Sequence, residues 1–217
     1  MKKKTHNAHD KIFKAAFQYP ETAKEFITAF LPEEISGIVN FDAFAIDKND
    51  YIAGNMKELF SDVVYTSYMN GGKSKIAFLF EHKSKPETYI RVQVMNYINA
   101  IHNKDILEGK PLTFVLPIVI YQGKRKWKIK AFYDDFKKLP QHLRRFLPEF
   151  DILLLQINEV NGEKILSLSD DSMLKSLFAA YKYAKDAEFL KKNLNNILSF
   201  YVKRPETFAF LQQILIY

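Results

Sequence analysis

This chain has no cysteine among its 217 residues, so disulfide bonds and thiolate metal sites are both excluded. It also lacks a long apolar run, because the longest one, at residues 112–121, has about half the length of a membrane span and contains Pro117. The basic N-terminus is followed by polar residues, so no signal peptide is predicted. We therefore expect a soluble, cytoplasmic protein that has no membrane partner.

Several enzyme classes are excluded by the motifs that are missing. The sequence contains no G-x-S-x-G, Walker A or G-x-G-x-x-G pattern, which argues against a serine hydrolase, a P-loop enzyme or a dinucleotide binder. We therefore expect no nucleotide cofactor. The five histidines lack the spacing of a zinc-binding set, so a zinc enzyme is not expected.

Positive charge is abundant and concentrated in one segment. The whole chain carries 32 basic and 25 acidic residues, a formal net charge of +7. Residues 122–145 alone contain nine Lys or Arg against two Asp, which is also +7. Such a stretch suits a polyanion such as nucleic acid, although a solvated surface explains it equally well on its own. The expected phosphate contacts are Lys124, Arg125, Lys126 and Lys128.

The apolar spacing predicts a mixed α/β chain. Residues 9–30 have the period of a helix pair that breaks near Tyr19 and Pro20. His9 and Asp10 lie at the start of the first helix, where either Asn7 or Asp10 can serve as the cap. Residues 32–55 suit one or two strands, residues 114–121 suit a strand in the interior of a sheet, and residues 151–156 suit a further strand. A turn is expected at Asn161 and Gly162, and helices from Ser169 onward. We predict a domain over residues 1–160 and a helical extension over residues 161–217, which ends abruptly and looks truncated.

A β-hairpin is predicted at the centre of the chain, with residues 60–68 and 76–80 as its strands. If the turn is centred on Gly71 and Gly72, paired residues have numbers that sum to 143, and Asp62 lies opposite Glu81. Directly opposed Cβ atoms are only about 5 Å apart. A turn centred on Asn70 and Gly71 would instead place Asp62 opposite Leu79, so the register decides the site.

Two further polar groups are expected beside these carboxylates. Side chains alternate along a strand, so Lys83 projects to the same face as Glu81, and His82 to the opposite one. The next helix is predicted to begin at Pro86 and to reach about His102. Tyr89, Gln93 and Tyr97 form one line on this helix, and that line can face the hairpin.

Carboxylates and a lysine in this arrangement suit phosphodiester hydrolysis. Carboxylates can bind Mg²⁺, which neutralises phosphoryl charge and activates water, and a lysine can orient that water or stabilise the transition state. The pattern is short, however, and charges at the exposed end of a strand are common. A structural salt bridge between Lys83 and either Glu81 or Asp62 is therefore the alternative.

An ordered set of motifs resembles the recombination-promoting nuclease (Rpn) family, also known as YhgA-like transposases, of the PD-(D/E)XK nuclease superfamily. The resemblance covers the chain from His9 to about Gln156. The matching segments are HDKIFK at 9–14, SDVVY at 61–65, FLFEHKS at 78–84, RVQVMNYI at 91–98 and LPIVIYQGKRKW at 116–127.

This resemblance implies an αβββαβ core of the restriction-endonuclease type and a metal-dependent DNA endonuclease. It implies Asp62, Glu81 and Lys83 as catalytic residues, Gln93 as an accessory catalytic residue, and Asp62 and Glu81 as ligands of Mg²⁺ or of another divalent cation such as Mn²⁺ or Ca²⁺. Asp10 lies in the first-helix signature without an assigned role. DNA is the expected partner, with a homodimer as a further one. The alternative function is a catalytically silent nucleic-acid-binding or interaction protein on a nuclease fold.

Overall fold

The computed structural model describes residues 3–47, 63–69, 71–72, 74–136 and 138–216. Within them, a mixed sheet has its five strands in chain order, and helices cover both faces. The strands are β1 (Ala45–Ile46), β2 (Val63–Met69), β3 (Ser74–Lys83), β4 (Phe114–Tyr121) and β5 (Leu153–Gln156). The helices are α1 (Lys3–Phe17), α2 (Pro20–Phe30), α3 (Glu33–Ser36), α4 (Ile90–Leu107), α5 (Gly162–Leu166), α6 (Met173–Tyr183), α7 (Ala187–Ile197), α8 (Ser199–Lys203) and α9 (Phe208–Ile216). The expected mixed α/β class is confirmed.

Strand β3 is the centre of the sheet and pairs with neighbours of both senses. It is antiparallel to β2 and parallel to β4, which α4 connects to it, as the strand–helix–strand order predicts. β4 in turn pairs in parallel with β5. β3 is buried from Ile76 to His82, so the interpretation of residues 76–80 as a strand buried on both faces is confirmed.

The register of the hairpin is the one centred on Gly71 and Gly72. Val63 pairs with Phe80, and every pair out to Met69 and Ser74 keeps the sum of 143. Both glycines have positive φ, at 69° and 92°, a region that costs glycine nothing because it has no Cβ. The alternative turn on Asn70 and Gly71 is therefore wrong.

Alternation along the strands divides the core into two apolar clusters. Even-numbered residues of β3, such as Phe78 and Phe80, join the cluster beneath α1, α2, α6 and α9. Odd-numbered ones, such as Ala77 and Leu79, join the smaller cluster beneath α4. The C-terminal helices therefore share a core with the N-terminal ones, whereas the division of the chain at residue 160 stays a prediction.

Several predicted boundaries were wrong, each because one residue type suits two local structures. Pro86 lies in the link before α4 rather than in its first turn, and α4 continues past His102, because proline fits extended links as well as helix starts. Asn161 accepts a hydrogen bond from the Glu163 amide and caps α5, whereas a turn was expected. Asp10 lies in the interior of α1, which begins at Lys3, so a capping role is wrong.

Other predicted boundaries are confirmed. α1 ends at Phe17 and α2 begins at Pro20, which places the break between the first two helices where it was expected. Residues 153–156 form a strand. Within the described ranges, no helix has both the length and the apolar content that a bilayer span requires.

Candidate active site

Glu81 lies near the carboxyl end of β3 and is almost fully buried, with 1% of its surface exposed. It projects to the α4 face, two residues beyond Leu79, and its register partner in β4 is Val119. Lys83 follows on the same face, and its Nζ lies 2.7 Å from Glu81 Oε1. Because a buried carboxylate is costly without partners, this ion pair offsets part of the loss of hydration.

The second partner of Glu81 comes from α4. Gln93 Nε2 donates a hydrogen bond of 2.9 Å to the same Oε1 atom. The link from Lys83 to Ile90 brings the first turns of α4 back over the end of β3, which is how Gln93 reaches the carboxylate. The sequence placed Gln93 on a helix line that could face the hairpin, and the structure shows this contact.

The other carboxylate oxygen has a different environment. Glu81 Oε2 is buried and has no hydrogen-bond partner within the described part of the chain. Buried acceptors are usually satisfied, so an open oxygen on a buried carboxylate calls for an explanation such as an ion. Anionic oxygen is the ligand type that Mg²⁺ prefers, so Glu81 fits the metal that the sequence predicts.

Asp62, the other predicted metal ligand, lies outside the described residues. The described ladder ends one pair before it, at Val63 and Phe80. Within the described ranges, no group of three or more His, Asp or Glu side chains is placed to hold a metal ion.

The basic segment, which we define as residues 122–131, begins beside this site. Its first amide, that of Gln122, donates to the Lys83 carbonyl at 3.0 Å, because the parallel strands β3 and β4 end at the same edge of the sheet. Two alternatives are open for residues 127–132 from the sequence, an edge strand or part of a basic loop. The segment has no regular secondary structure, so the loop is confirmed and the edge strand is wrong. Its exposed basic residues are Lys124, Arg125, Lys126, Lys128 and Lys130.

Side chains from the surrounding elements hold the basic segment in place. Tyr121 donates its hydroxyl hydrogen to the Arg125 carbonyl at 2.8 Å, and Trp127 packs edge-on against the Tyr121 ring at 5.2 Å between centroids. Trp127 is only 8% exposed, so it belongs to the core, and its ring is not accessible for stacking on bases. Lys126 forms an exposed ion pair of 3.1 Å with Glu159, which offsets part of its charge.

A second polar contact lies on the opposite face of β3, and the sequence reasoning missed it. His82 Nδ1 is 2.8 Å from Asp10 Oδ1 on α1, and the imidazole side chain is fully buried. Because an ionised carboxylate only accepts hydrogen bonds, Nδ1 is the donor. The ring lies between Phe13 and Tyr181, at 5.2 Å between centroids in each case.

A local signal for this pair was present in the sequence. Asp10, Phe13 and Phe17 recur at helical spacing, so they share the face of α1 that packs on the sheet. Strand parity had already turned His82 toward that side of the sheet. What the sequence could not supply was the distance between a helix and a strand that are 72 residues apart.

Comparison with known proteins places the chain in a family whose curated members include nucleases. Residues 7–207 match the family described as "Putative transposase, YhgA-like". The chain belongs to this family, as the motifs predicted.

The curated relatives carry nuclease names. The chain is 26% identical over 173 residues to recombination-promoting nuclease RpnD of Escherichia coli O157:H7, an alignment that covers 76% of this chain and 66% of RpnD. It is 27% identical over 166 residues to RpnC of Escherichia coli K12, covering 74% of this chain and 55% of RpnC. It is also 24% identical over 190 residues to the inactive nuclease-like protein RpnE of the same strain, covering 86% of this chain and 62% of RpnE. The chain thus spans less than two thirds of these relatives, and no solved structure matches it.

Proposed function

We propose that this protein is a metal-dependent DNA endonuclease with a PD-(D/E)XK core. In this proposal Asp62 and Glu81 hold Mg²⁺ or a similar divalent cation, Lys83 is the catalytic lysine, and Gln93 is an accessory residue. The order of helix, three strands, helix and strand around the site supports the αβββαβ core. The nuclease names of the relatives support the reaction class.

The observation that carries the proposal is the unequal environment of the two oxygens of Glu81. Lys83 and Gln93 both contact Oε1, while Oε2 is buried without a partner among the described residues. Buried acceptor atoms are usually satisfied, so a buried anionic oxygen that lacks a partner suits a bound ligand. The arrangement therefore fixes the orientation of the carboxylate and leaves one anionic oxygen for a ligand.

The observed register of the hairpin supports the proposed role of Asp62. The described pairs sum to 143 up to Val63 and Phe80, and one further pair would set Asp62 opposite Glu81. Opposed side chains are about 5 Å apart at Cβ, within the reach of a shared cation. This step extends the ladder by one residue beyond the described part of β2.

A bound divalent cation would supply charge neutralisation at the phosphoryl oxygens and a more acidic water. The chain's own residues would do the rest. Lys83, whose ammonium lies at the partly exposed rim with 14% of its side chain accessible, can stabilise developing negative charge or orient the attacking water. The exposed lysines and arginine at positions 124, 125, 126 and 128 lie on the same sheet edge and would contact the DNA phosphates.

A plasmid-cleavage assay tests the proposal. We expect cleavage with Mg²⁺ or Mn²⁺, none with EDTA, and a loss of orders of magnitude in Asp62→Ala, Glu81→Ala and Lys83→Ala. Glu108→Ala is the matched control, because Glu108 is an exposed carboxylate at the far end of α4 that pairs with Lys110. Cleavage that persists in all three site variants would remove these residues from the active site.

One observation favours a second function, a nucleic-acid-binding protein without catalysis. RpnE, which aligns with 86% of this chain, is named inactive. This reading predicts salt-dependent DNA binding, weakened by changes at Lys124 and Lys128, and no cleavage with any divalent metal. Both functions predict DNA binding, so only cleavage of the plasmid in the presence of a divalent metal distinguishes them.

A further inference from the structure

Arg91 connects the basic segment to the helix that carries Gln93. It lies in the first turn of α4, two residues before Gln93. Its Nε donates to the Lys130 carbonyl at 2.6 Å, and its Nη1 donates to the Phe150 carbonyl. The guanidinium also lies 5.7 Å from the centroid of the Phe150 ring. A single side chain therefore bridges α4 to two chain segments that are 39 and 59 residues away.

The basic segment needs contacts with other elements, because its own residues do little to hold it in one conformation. It has no helix or strand hydrogen bonds within it, and its exposed cations repel one another. Ordering an irregular loop costs conformational entropy at every residue, so fixed contacts must offset that cost. Its first half is held by Tyr121 and Trp127, by Asn158, which donates to the Gln122 and Gly123 carbonyls, and by Gln156, whose Oε1 accepts from the Trp127 amide. The Arg91 bond to Lys130 holds its end.

We infer that Arg91 is a positioning residue of the DNA interface: it holds the basic segment at a set distance from Glu81. The inference rests on the proposed function. Gln93 fixes α4 to Glu81 and Arg91 fixes α4 to the basic segment, so one helix relates the phosphate contacts to the candidate metal ligand. Without the bridge, the same charges would be present, but the end of the segment at Lys128 and Lys130 would no longer be fixed to α4.

The surroundings of Arg91 argue against the simpler role of a phosphate ligand. Two of its donors are already used by backbone carbonyls. On one side it lines a cavity of about 350 Å³ together with Glu149 and Asp151, whose carboxylates disfavour a phosphate there. On the other side, a cavity of about 190 Å³ is lined by Lys128 and Lys130 as well as by Glu87 and Asp135. The first cavity and the two occupied donors are therefore what disfavours a phosphate ligand at Arg91.

Arg91→Lys separates positioning from charge. A lysine keeps the positive charge but has a single ammonium, which cannot span both carbonyls as the planar guanidinium does. If Arg91 positions the segment, we expect Arg91→Lys and Arg91→Ala to weaken binding of a short DNA duplex equally, by about tenfold, the size of one or two lost phosphate contacts. Wild-type affinity in Arg91→Lys, with a loss in Arg91→Ala, would show a direct charge contact and overturn the inference.

Arg204→Ala is the matched control, because Arg204 is also held by side-chain contacts but lies among the C-terminal helices. It pairs with Glu21 at 3.6 Å and with Glu206 at 3.2 Å. We expect this variant to bind DNA as the wild type does. In cleavage kinetics, Arg91→Ala should raise KM about tenfold and leave kcat within about twofold, because the bond from Gln93 to Glu81 remains.

A double-variant cycle with Lys128→Ala provides an independent measure. If Arg91 acts through the segment, Lys128→Ala should weaken binding clearly in the wild type and only slightly in the Arg91→Ala background. Additive losses would mean that the two residues contact DNA separately, and the inference would be wrong.

Limited trypsin digestion reports on the segment without any DNA or metal. We expect faster cleavage after Lys124 to Lys130 in both Arg91 variants than in the wild type or Arg204→Ala, with unchanged far-UV circular dichroism. Equal digestion of all four proteins would overturn the inference. If the wild type never cleaves plasmid but the binding and digestion results hold, the proposed endonuclease fails while the role of Arg91 stands.

Discussion

Glu81 and His82 are neighbours in one strand and are buried to nearly the same depth, with 1% and 2% of their surface exposed. Each has one polar side-chain atom without a hydrogen-bond partner in the described part of the chain, Oε2 and Nε2 respectively. Their surroundings differ sharply. Glu81 meets Lys83 and Gln93 at the edge where the basic segment begins, whereas His82 is enclosed by aromatic rings and bound to Asp10.

The comparison shows how a sheet can separate two roles over a single residue. Successive side chains point to opposite faces, so adjacent positions in sequence belong to different clusters of the core. The α4 face collects charged groups with an anionic oxygen still open, which suits a ligand. The α1 face pairs the His82 imidazole with the Asp10 carboxylate, which suits the attachment of α1 to the sheet. We expect the first face to govern activity and the second to govern stability.

The largest effect should come from Glu81→Gln. This change keeps the shape of the side chain but removes its charge, so we expect plasmid cleavage to fall by at least a hundredfold. The free energy of unfolding should change by no more than about 1 kcal/mol, because removing a buried charge offsets the lost ion pair. Plasmid cleavage measures the loss of activity and urea unfolding measures the change in stability, with Glu108→Ala as the control in both. A large loss of stability would mean that Glu81 is a structural group.

The next largest effect should come from Asp10→Ala and should fall on stability instead of activity. Asp10→Ala removes the acceptor of His82 Nδ1 and should lower the free energy of unfolding by about 2 kcal/mol, the cost of an unsatisfied buried donor. Asp10→Asn keeps an acceptor oxygen and should recover most of this loss. At temperatures well below the midpoint of its thermal unfolding, Asp10→Ala should cleave plasmid within several-fold of the wild-type rate. A folded Asp10→Ala protein that has lost cleavage would show that the two faces form one site.

Gln93→Ala should have a smaller and more specific effect. Gln93 orients the Glu81 carboxylate, and loss of a group that orients a metal ligand weakens metal affinity by about tenfold or somewhat more. We expect the Mg²⁺ concentration at half-maximal cleavage to rise by that factor, with full activity recovered at high Mg²⁺. Gln18→Ala, at an exposed position directly after α1, is the matched control. An unchanged Mg²⁺ midpoint would remove Gln93 from the site.

The smallest effect concerns Lys175, a buried polar residue of α6, the helix that also carries Tyr181 against His82. Burial lowers the pKa of Lys175, because its charged form loses water, and Asp170 offsets only part of this. Above the lowered pKa the folded protein has lost a proton that the unfolded chain still binds, so the stability of the wild type should rise with pH relative to Lys175→Met.

Urea unfolding of the wild type and Lys175→Met from about pH 7 to about pH 10 measures this difference, which we expect to change by up to about 1 kcal/mol. A difference that does not change with pH would mean that Lys175 keeps its ordinary pKa. Burial of the charged form of Lys175 would then cost no measurable stability.

Much of this architecture was readable before the structure was known, because it depends on short-range rules. The glycine pair specified the turn, the turn specified the register, and alternation placed Lys83 beside Glu81 and turned His82 away. Family motifs added the expected class. The boundaries failed where local chemistry is ambiguous, as at Pro86, Asp10 and Asn161, since proline, aspartate and asparagine each suit more than one position near a helix or turn.

By itself, then, the sequence determined the hairpin, the two faces of β3 and the membership of the family, since periodicity and turn chemistry act over a few residues. Only the tertiary structure decided which partners those faces receive. The contacts from Asp10 to His82, from Gln93 to Glu81 and from Arg91 to Lys130 and Phe150 join different elements, over separations of up to 72 residues. No local pattern encodes such distances, because they depend on how helices with apolar faces come to rest on the sheet.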